Sequence, residues 1–192
     1  MDISELSLLI HKRRSIFPAT YTGAIVDDEV IRQILENANQ APSHRHTEPW
    51  RFHVVTGEAL GSLADFFQST YKELMTGDQF KERKYNKLKI NPTKSSHVII
   101  LTMQRDLEES VPEWEEIAAV SCAIQNIYLS VTAAGLGGYW SSPKMMIDHI
   151  HRHIDLAEGE SCLGFFYIGV PIADLNLSIE KKPLNTKMKW YR

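Results

Sequence analysis

Two periodicities organise the chain, one of about 3.6 residues and one of two, and together they lay out a succession of helices and strands. Asp2 and Glu5 have the spacing of a capping box, and Leu6, Leu9 and Ile10 follow at helical intervals, which predicts a first helix. Asp27 or Asp28 caps a second, whose apolar stripe is Val30, Ile31, Ile34, Leu35 and Ala38. Residues 51–56 are rich in β-formers and bounded by Pro49 and Gly57, so a strand is expected there. A helix is predicted over 58–75 and a polar stretch over 76–96. Residues 97–103 then form an apolar, β-branched run short enough to be a buried strand.

The longest periodic stretch covers 113–134. Its Ile117, Val120, Ala123, Ile124, Ile127, Tyr128, Val131 and Ala134 are apolar on more than one side. Such a helix lies at the centre of a core or is shared with a second subunit. Gly135 is a natural C-cap for it. A strand near 138–141, a helix over 145–157 and a strand over 162–170 follow. The tail from Pro171 carries Pro183 and Trp190 without helical periodicity and reads as an arm that crosses another surface. Helices and strands interleave at irregular spacing, which argues for α+β rather than a doubly wound α/β sheet.

Composition narrows the class without choosing a function. The 192 residues fit one domain with a sizeable core, and 43% apolar and 23% charged residues are ordinary globular values. A net charge of −3 argues against nucleic acid as the main partner, because phosphate binding needs a basic surplus. No run approaches the ~20 apolar residues of a membrane span. The start, Met1-Asp2-Ile3-Ser4-Glu5, lacks the basic-then-apolar order of a signal peptide, so a cytoplasmic location is expected. Cys122 and Cys162 fall in apolar stretches and read as buried thiols, with no disulfide expected between them.

Four segments carry the candidate chemistry. The densest is Ala41-Pro42-Ser43-His44-Arg45-His46-Thr47-Glu48-Pro49-Trp50, which joins a helical pattern to a strand and contains no glycine. Two prolines stiffen it, and two imidazoles, a guanidinium, two hydroxyls and a carboxylate stand between them. That is the composition of a binding loop, although a well-capped surface connection would also account for it. The others are Arg13-Arg14-Ser15, the run Gly135-Leu136-Gly137-Gly138-Tyr139-Trp140-Ser141-Ser142, and Lys181-Lys182-Pro183-Leu184.

In that order and at those separations, the four segments resemble the flavin-dependent nitroreductase family, over residues 5–185. Three positions depart from its pattern: His46 stands where most members have asparagine, Glu48 where they have glutamine, and Ser-Ser-Pro follows Trp140 where a glycine is common. The resemblance implies an α+β fold with a central, mostly antiparallel sheet flanked by helices, in an intertwined homodimer with flavin sites at the subunit interface. It implies FMN as cofactor and NAD(P)H as electron donor. Turnover would be ping-pong, with hydride passing through flavin N5 to a nitroaromatic or quinone-like acceptor and no catalytic side chain required. Residue by residue, it assigns Arg13, Arg14 and Ser15 to both ends of FMN, Gln40 and His44 to its length, and Trp140, Ser141 and Ser142 to a third approach. Lys181 and Lys182 match the phosphate-binding basic pair, with lysine replacing the commoner arginine. His46 and Glu48 are spaced to pair with each other.

Each segment alone has a plainer explanation. Arg13 and Arg14 end an acid-capped helix, where basic residues offset the dipole. Lys181-Lys182 reads as a solvated charge pair, the Gly135 run as a helix stop, and Trp140 as core. Their joint occurrence carries the assignment. The competing readings are a flavin- or ligand-binding protein without turnover and a metal protein using His149, His151 and His153. On a helix over 145–157, His149 and His153 would share a face and His151 would point away, one ligand short of a zinc site. The basic run Lys81, Arg83, Lys84, Lys87, Lys89 and Lys94 has only Tyr85 interleaved and is offset by Glu73, Asp78 and Glu82, so a solvated surface, or one residue reaching the flavin phosphate, is expected rather than an RNA site.

Overall fold

The computed structural model describes residues 2–173, 175 and 179–192. The helix α1 (Ile3–Lys12) starts from the expected capping box: Ser4 and Glu5 donate backbone N–H groups to Asp2 Oδ1, and Asp2 N–H donates back to Glu5. Asp27 caps α2 (Asp28–Ala38), accepting from Glu29 N–H at 2.8 Å. Ile31, Ile34 and Ala38 of its stripe are buried, but Val30 sits on the shoulder and is exposed.

Four strands follow the apolar runs: β1 (Trp50–Thr56), β2 (His97–Gln104), β3 (Gly137–Ser141) and β4 (Glu160–Gly169). They form one sheet in the order β1-β2-β4-β3, antiparallel throughout. Helices cover both faces, as the α+β reading requires. On one face α2 and α5 (Glu113–Ala133) pack with Ile99, Leu101, Phe166 and Ile168. On the other, α3 (Ala59–Leu74) and α4 (Glu82–Lys94) pack with α6 (Lys144–His149) on Val98, Ile100, Phe165 and Tyr167. A strand enclosed on both faces is buried at every position, so His97–Met103 is almost wholly apolar, and its two polar residues, His97 and Thr102, are bonded to Asp28 and Glu160.

Two helices differ from expectation. The polar stretch 76–96 contains α4, whose only buried residues are Leu88, Asn91 and Pro92. One turn of apolar anchor beneath a lysine-rich surface leaves almost no periodic signal. The helix expected over 145–157 is shorter: after His149 the chain tightens into a 3₁₀ turn, Ile150–Arg152, and leaves the helix. Gly159 (φ +73°) and the bond from Ala157 N–H to Glu160 then turn it into β4.

Glycine is required at two places near the candidate segments. Gly135 (φ +71°) ends α5, with Leu136 N–H reaching back to Val131 O at 2.8 Å. Gly164 (φ +138°) follows the bulge in β4, and a Cβ there would lie 2.6 Å from Ser141 O and 2.7 Å from Trp140 Nε1. Its absence lets Trp140 and Ser141 close against the sheet. The outer side of β3 is bordered by residues 15–17, with Ile16 N–H donating to Gly138 O at 2.9 Å. The same segment continues to Tyr21, which packs in the second core and donates its hydroxyl to Ile16 O at 2.8 Å. No helix among the described residues is long and apolar enough to cross a membrane.

Candidate functional site

Arg13 follows the last turn of α1, where the helix stops and the chain heads for the edge of β3. Its guanidinium carbon lies 5.0 Å from the centre of the Tyr128 ring, a cation–π contact that fixes the side chain. Ser15 Oγ lies 3.2 Å from the Tyr128 hydroxyl, and that hydroxyl accepts the backbone N–H of Trp140 at 2.9 Å. Tyr128 thus joins the first and third predicted segments through one side chain of α5. Arg14 turns back on its helix, donating to Arg13 O at 2.8 Å and to His11 O.

A cleft of about 620 Å³ opens beside this junction, lined by Ile10, His11, Arg13, Arg14, Ser15, Gln125, Tyr128, Ile179 and Lys181. Three permanent cations and the hydroxyls of Ser15 and Tyr128 line it, and none of its lining residues among those described is a carboxylate. Such a donor set fits a phosphate or another dianion and would repel a metal ion. The buried Trp140 Nε1–H has no acceptor among the described residues, which leaves an indole donor beside the same junction.

The remaining assignments are distributed differently. Lys181 lines the cleft, whereas Lys182 does not; its carbonyl accepts from Lys187 Nζ at 3.2 Å. Ser141 ends β3 and Ser142 follows it toward α6. Gln40 is exposed just past α2, and His44 stands in a 3₁₀ turn, His44–His46, against the start of α5. His44 Nδ1 is 2.5 Å from Glu115 Oε2. Glu115 and Tyr128 are thirteen positions apart on one helix, or about 20 Å at 1.5 Å per residue. Within one subunit, then, neither Gln40 nor His44 lines the Arg13 cleft.

The 41–50 loop is strained. Arg45 (φ 53°), His46 (φ 55°) and Glu48 (φ 42°) all adopt left-handed backbone without being glycine. Each such residue costs on the order of 1–3 kcal/mol, and such strain collects at functional sites. Glu48 N–H donates to Ser43 Oγ at 3.2 Å and Arg51 Nη1 donates to Glu48 O at 2.8 Å. The expected His46–Glu48 pair does not form among the described residues: both side chains are exposed, and Glu48 is held by its backbone. The carboxylate that meets an imidazole comes instead from Glu115.

Tyr128 and Glu115 are therefore the residues that sequence reasoning passed over. Tyr128 was counted as one more apolar position of α5, although a hydroxyl on a buried helix face asks for a partner. Cys122 is exposed on the outward side of α5, contrary to expectation, while Cys162 is buried; both are free thiols. Burial pushes the Cys162 thiol up to about 11. His149 and His151 stack with ring centres 6.4 Å apart, and His153 stacks on Phe66 at 5.0 Å, so the predicted His149–His153 face is absent. Among the described residues no three His, Cys, Asp or Glu side chains converge as a metal site would require. Lys84 and Lys87 lie over the rings of Tyr71 and Phe17.

Fold and site together define an α+β protein with a cationic cleft beside its outermost strand. The chain belongs to the nitroreductase family, whose model, described as "Nitroreductase family", matches residues 10–170. The class that follows is oxidoreductase. YfhC of Bacillus subtilis (strain 168), a candidate NAD(P)H nitroreductase by its name, is 31% identical over 170 residues, covering 88% of this chain and 85% of its own. YdjA of Escherichia coli (strain K12), similarly named, is 26% identical over 178 residues, covering 91% and 92%. The crystal structure of NfnB from Mycobacterium smegmatis, an FMN-dependent nitroreductase solved with NADPH, superposes with a TM-score of 0.82 over 100% of both chains. At 18% identity that likeness is one of fold.

Proposed function

We propose that this protein is an FMN-dependent NAD(P)H oxidoreductase acting as a homodimer on an electron-poor acceptor of the nitroaromatic or quinone kind. The observation that carries the reading is the cationic cleft of Arg13, Arg14, Ser15 and Lys181, tied through Tyr128 to Trp140. NfnB, similar throughout its length, is FMN-dependent and was solved with NADPH, which favours this ligand over other phosphates. Arg13 and Lys181 meet the phosphate charge with Ser15 as hydroxyl donor, and Lys182 adds charge from outside. Trp140, Ser141 and Ser142 border the ring. When bound, FMN supplies ping-pong hydride chemistry between the donor and the acceptor.

The homodimer answers the separation of Gln40 and His44 from the cleft: the loop of a second copy completes the site. Two surfaces suit that assembly. None of the residues of α1 is buried, with Leu8 70% exposed, and α5 turns Trp114 and Ile117 outward. The tail, 171–192, serves as an arm on the neighbour, although Asp174 and 176–178 within it lie outside the described residues. Leu184, Trp190 and Tyr191 are exposed on their own subunit. A groove of about 460 Å³ between α2 and the outer edge of β1, lined by Ile31, Leu35, Phe52 and Val54, offers such an arm an apolar seat.

The absorbance spectrum of the purified protein tests the reading. Yellow protein that bleaches anaerobically with NADPH or NADH and recolours with an acceptor is expected. Yellow protein that never bleaches would make it a flavin-binding module, and colourless protein that takes up no added FMN would end both readings.

A further inference from the structure

We propose that His44 is the acid that delivers a proton to the acceptor, and that Glu115 is the positioning residue that holds it for that task. The proposal rests on the functional reading above, in which the 41–50 loop of one copy borders the cleft of the other.

The dyad is built in one orientation. Glu115 Oε2, as a carboxylate oxygen, only accepts, so the hydrogen in the 2.5 Å contact belongs to His44 Nδ1. Nε2 is then the nitrogen that takes up and releases the second proton. It has no partner among the described residues, and the side chain is 57% exposed. The contact is also the one side-chain bond that ties the His44–His46 turn to another element among the described residues. It fastens the turn immediately before Arg45, the first of the left-handed residues. A loop that keeps three strained residues while holding an imidazole by one nitrogen is arranged to present the other. Glu115 of α5 meets His44 directly, and Arg45, His46 and Glu48 follow it on its own loop. The next carboxylate along the helix, Glu116, is turned inward to Arg105 and to Asp106 N–H.

The proton balance gives this arrangement a use. A quinone needs two electrons and two protons to become a hydroquinone. Hydride, supplied by the proposed activity, brings the electron pair and one hydrogen. The second hydrogen leaves His44 as the Nε2–H bond breaks and the O–H bond of the hydroquinone forms. Neutral imidazole remains, with Nδ1–H still on Glu115, and water restores the Nε2 proton.

Rapid mixing of the FMN-loaded protein, first with NAD(P)H and then with p-benzoquinone, separates the two half-reactions. His44→Gln is expected to slow the quinone step about 100-fold at pH 7, within the usual range for a general acid. Glu115→Ala should slow it about tenfold, and added imidazole should restore part of the rate to His44→Ala. Independently of turnover, nitrogen-15 NMR of the flavin-free protein should find neutral His44 protonated on Nδ1 and, in Glu115→Ala, a tautomer mixture. A quinone step in His44→Gln within twofold of wild type, or His44 protonated on Nε2 in the wild-type protein, overturns the proton role alone. Wild-type protein that takes up no FMN overturns the functional reading and the proton role with it.

Discussion

Replacing Tyr128 by Phe takes one oxygen from the point where Arg13, Ser15 and Trp140 meet, and leaves the ring in place. The ring's contact with the Arg13 guanidinium and its edge-on packing against Phe166, 4.7 Å between centres, should survive. What disappears is the acceptor of Trp140 N–H and the partner of Ser15 Oγ. A donor left unsatisfied in the interior costs about 1–3 kcal/mol. Trp140 and Ser15 are half-buried, so the lower part of that range applies, about 1–2 kcal/mol. With a urea m-value of about 2 kcal/mol/M, the midpoint should fall by about 0.5–1 M with m unchanged. Because the same oxygen sets the position of two segments lining the proposed FMN site, FMN affinity should fall as well, by about three- to tenfold. Urea titration of the flavin-free protein and flavin fluorescence titration measure the two effects separately. A midpoint within 0.2 M of wild type would show that the hydroxyl is not a junction, and the account of how the segments are joined would fail.

Arg13→Ala should weaken FMN binding by about 1.5–3 kcal/mol, or one to two decades in Kd; unchanged affinity in a folded variant would remove Arg13 from the site. Truncation after Asn185 should weaken the dimer and loosen FMN together, by light scattering and flavin fluorescence, since binding at a shared site is linked to assembly. A truncated chain that stays dimeric with full flavin content would refute the arm. The Glu160 carboxyl is held below the usual carboxylate range: burial pushes it upward, but bonds from Thr102, Ala157 N–H and His53 outweigh that. A depressed folded-state pKa contributes stability that is present above the unfolded value, about 4.3, and lost as pH falls through the folded one. Thermal melts should therefore lose less stability on acidification in Glu160→Gln than in wild type below about pH 4, and parallel curves would refute the assignment.

Eight of the ten helices and strands among the described residues were legible within about two residues, because each buries one continuous stripe or run. The pattern reports burial along one element and little else. It missed α4, held by Leu88, Asn91 and Pro92 alone, and it overran α6 because Ile150 and Ile154 keep helical spacing where the backbone has already tightened. It also put Cys122 inside, since a helix with apolar residues on several sides does not announce which face is covered. The proposed site was read as a set of segments through family resemblance. Which side chains meet was not: nothing in Lys181-Lys182 tells which lysine lines the cleft, and no spacing rule brings Tyr128 to Trp140. The partner of His44 lies 71 positions away on α5, a pairing that only the tertiary fold creates.

The short segment from Ser15 to Tyr21 crosses the rim of the sheet: Ser15 is bonded to Tyr128 of the first core, Ile16 to the outer strand, and Tyr21 packs within the second core. Helices on opposite faces of a sheet could otherwise open one layer at a time. A strap bonded to both layers makes detaching either one disturb the other, so the two should exchange amide hydrogens as a single cooperative unit. Anything that tightens Arg13 and Ser15 would then slow exchange in α3 and α4, on the far side of the sheet, where it makes no contact at all.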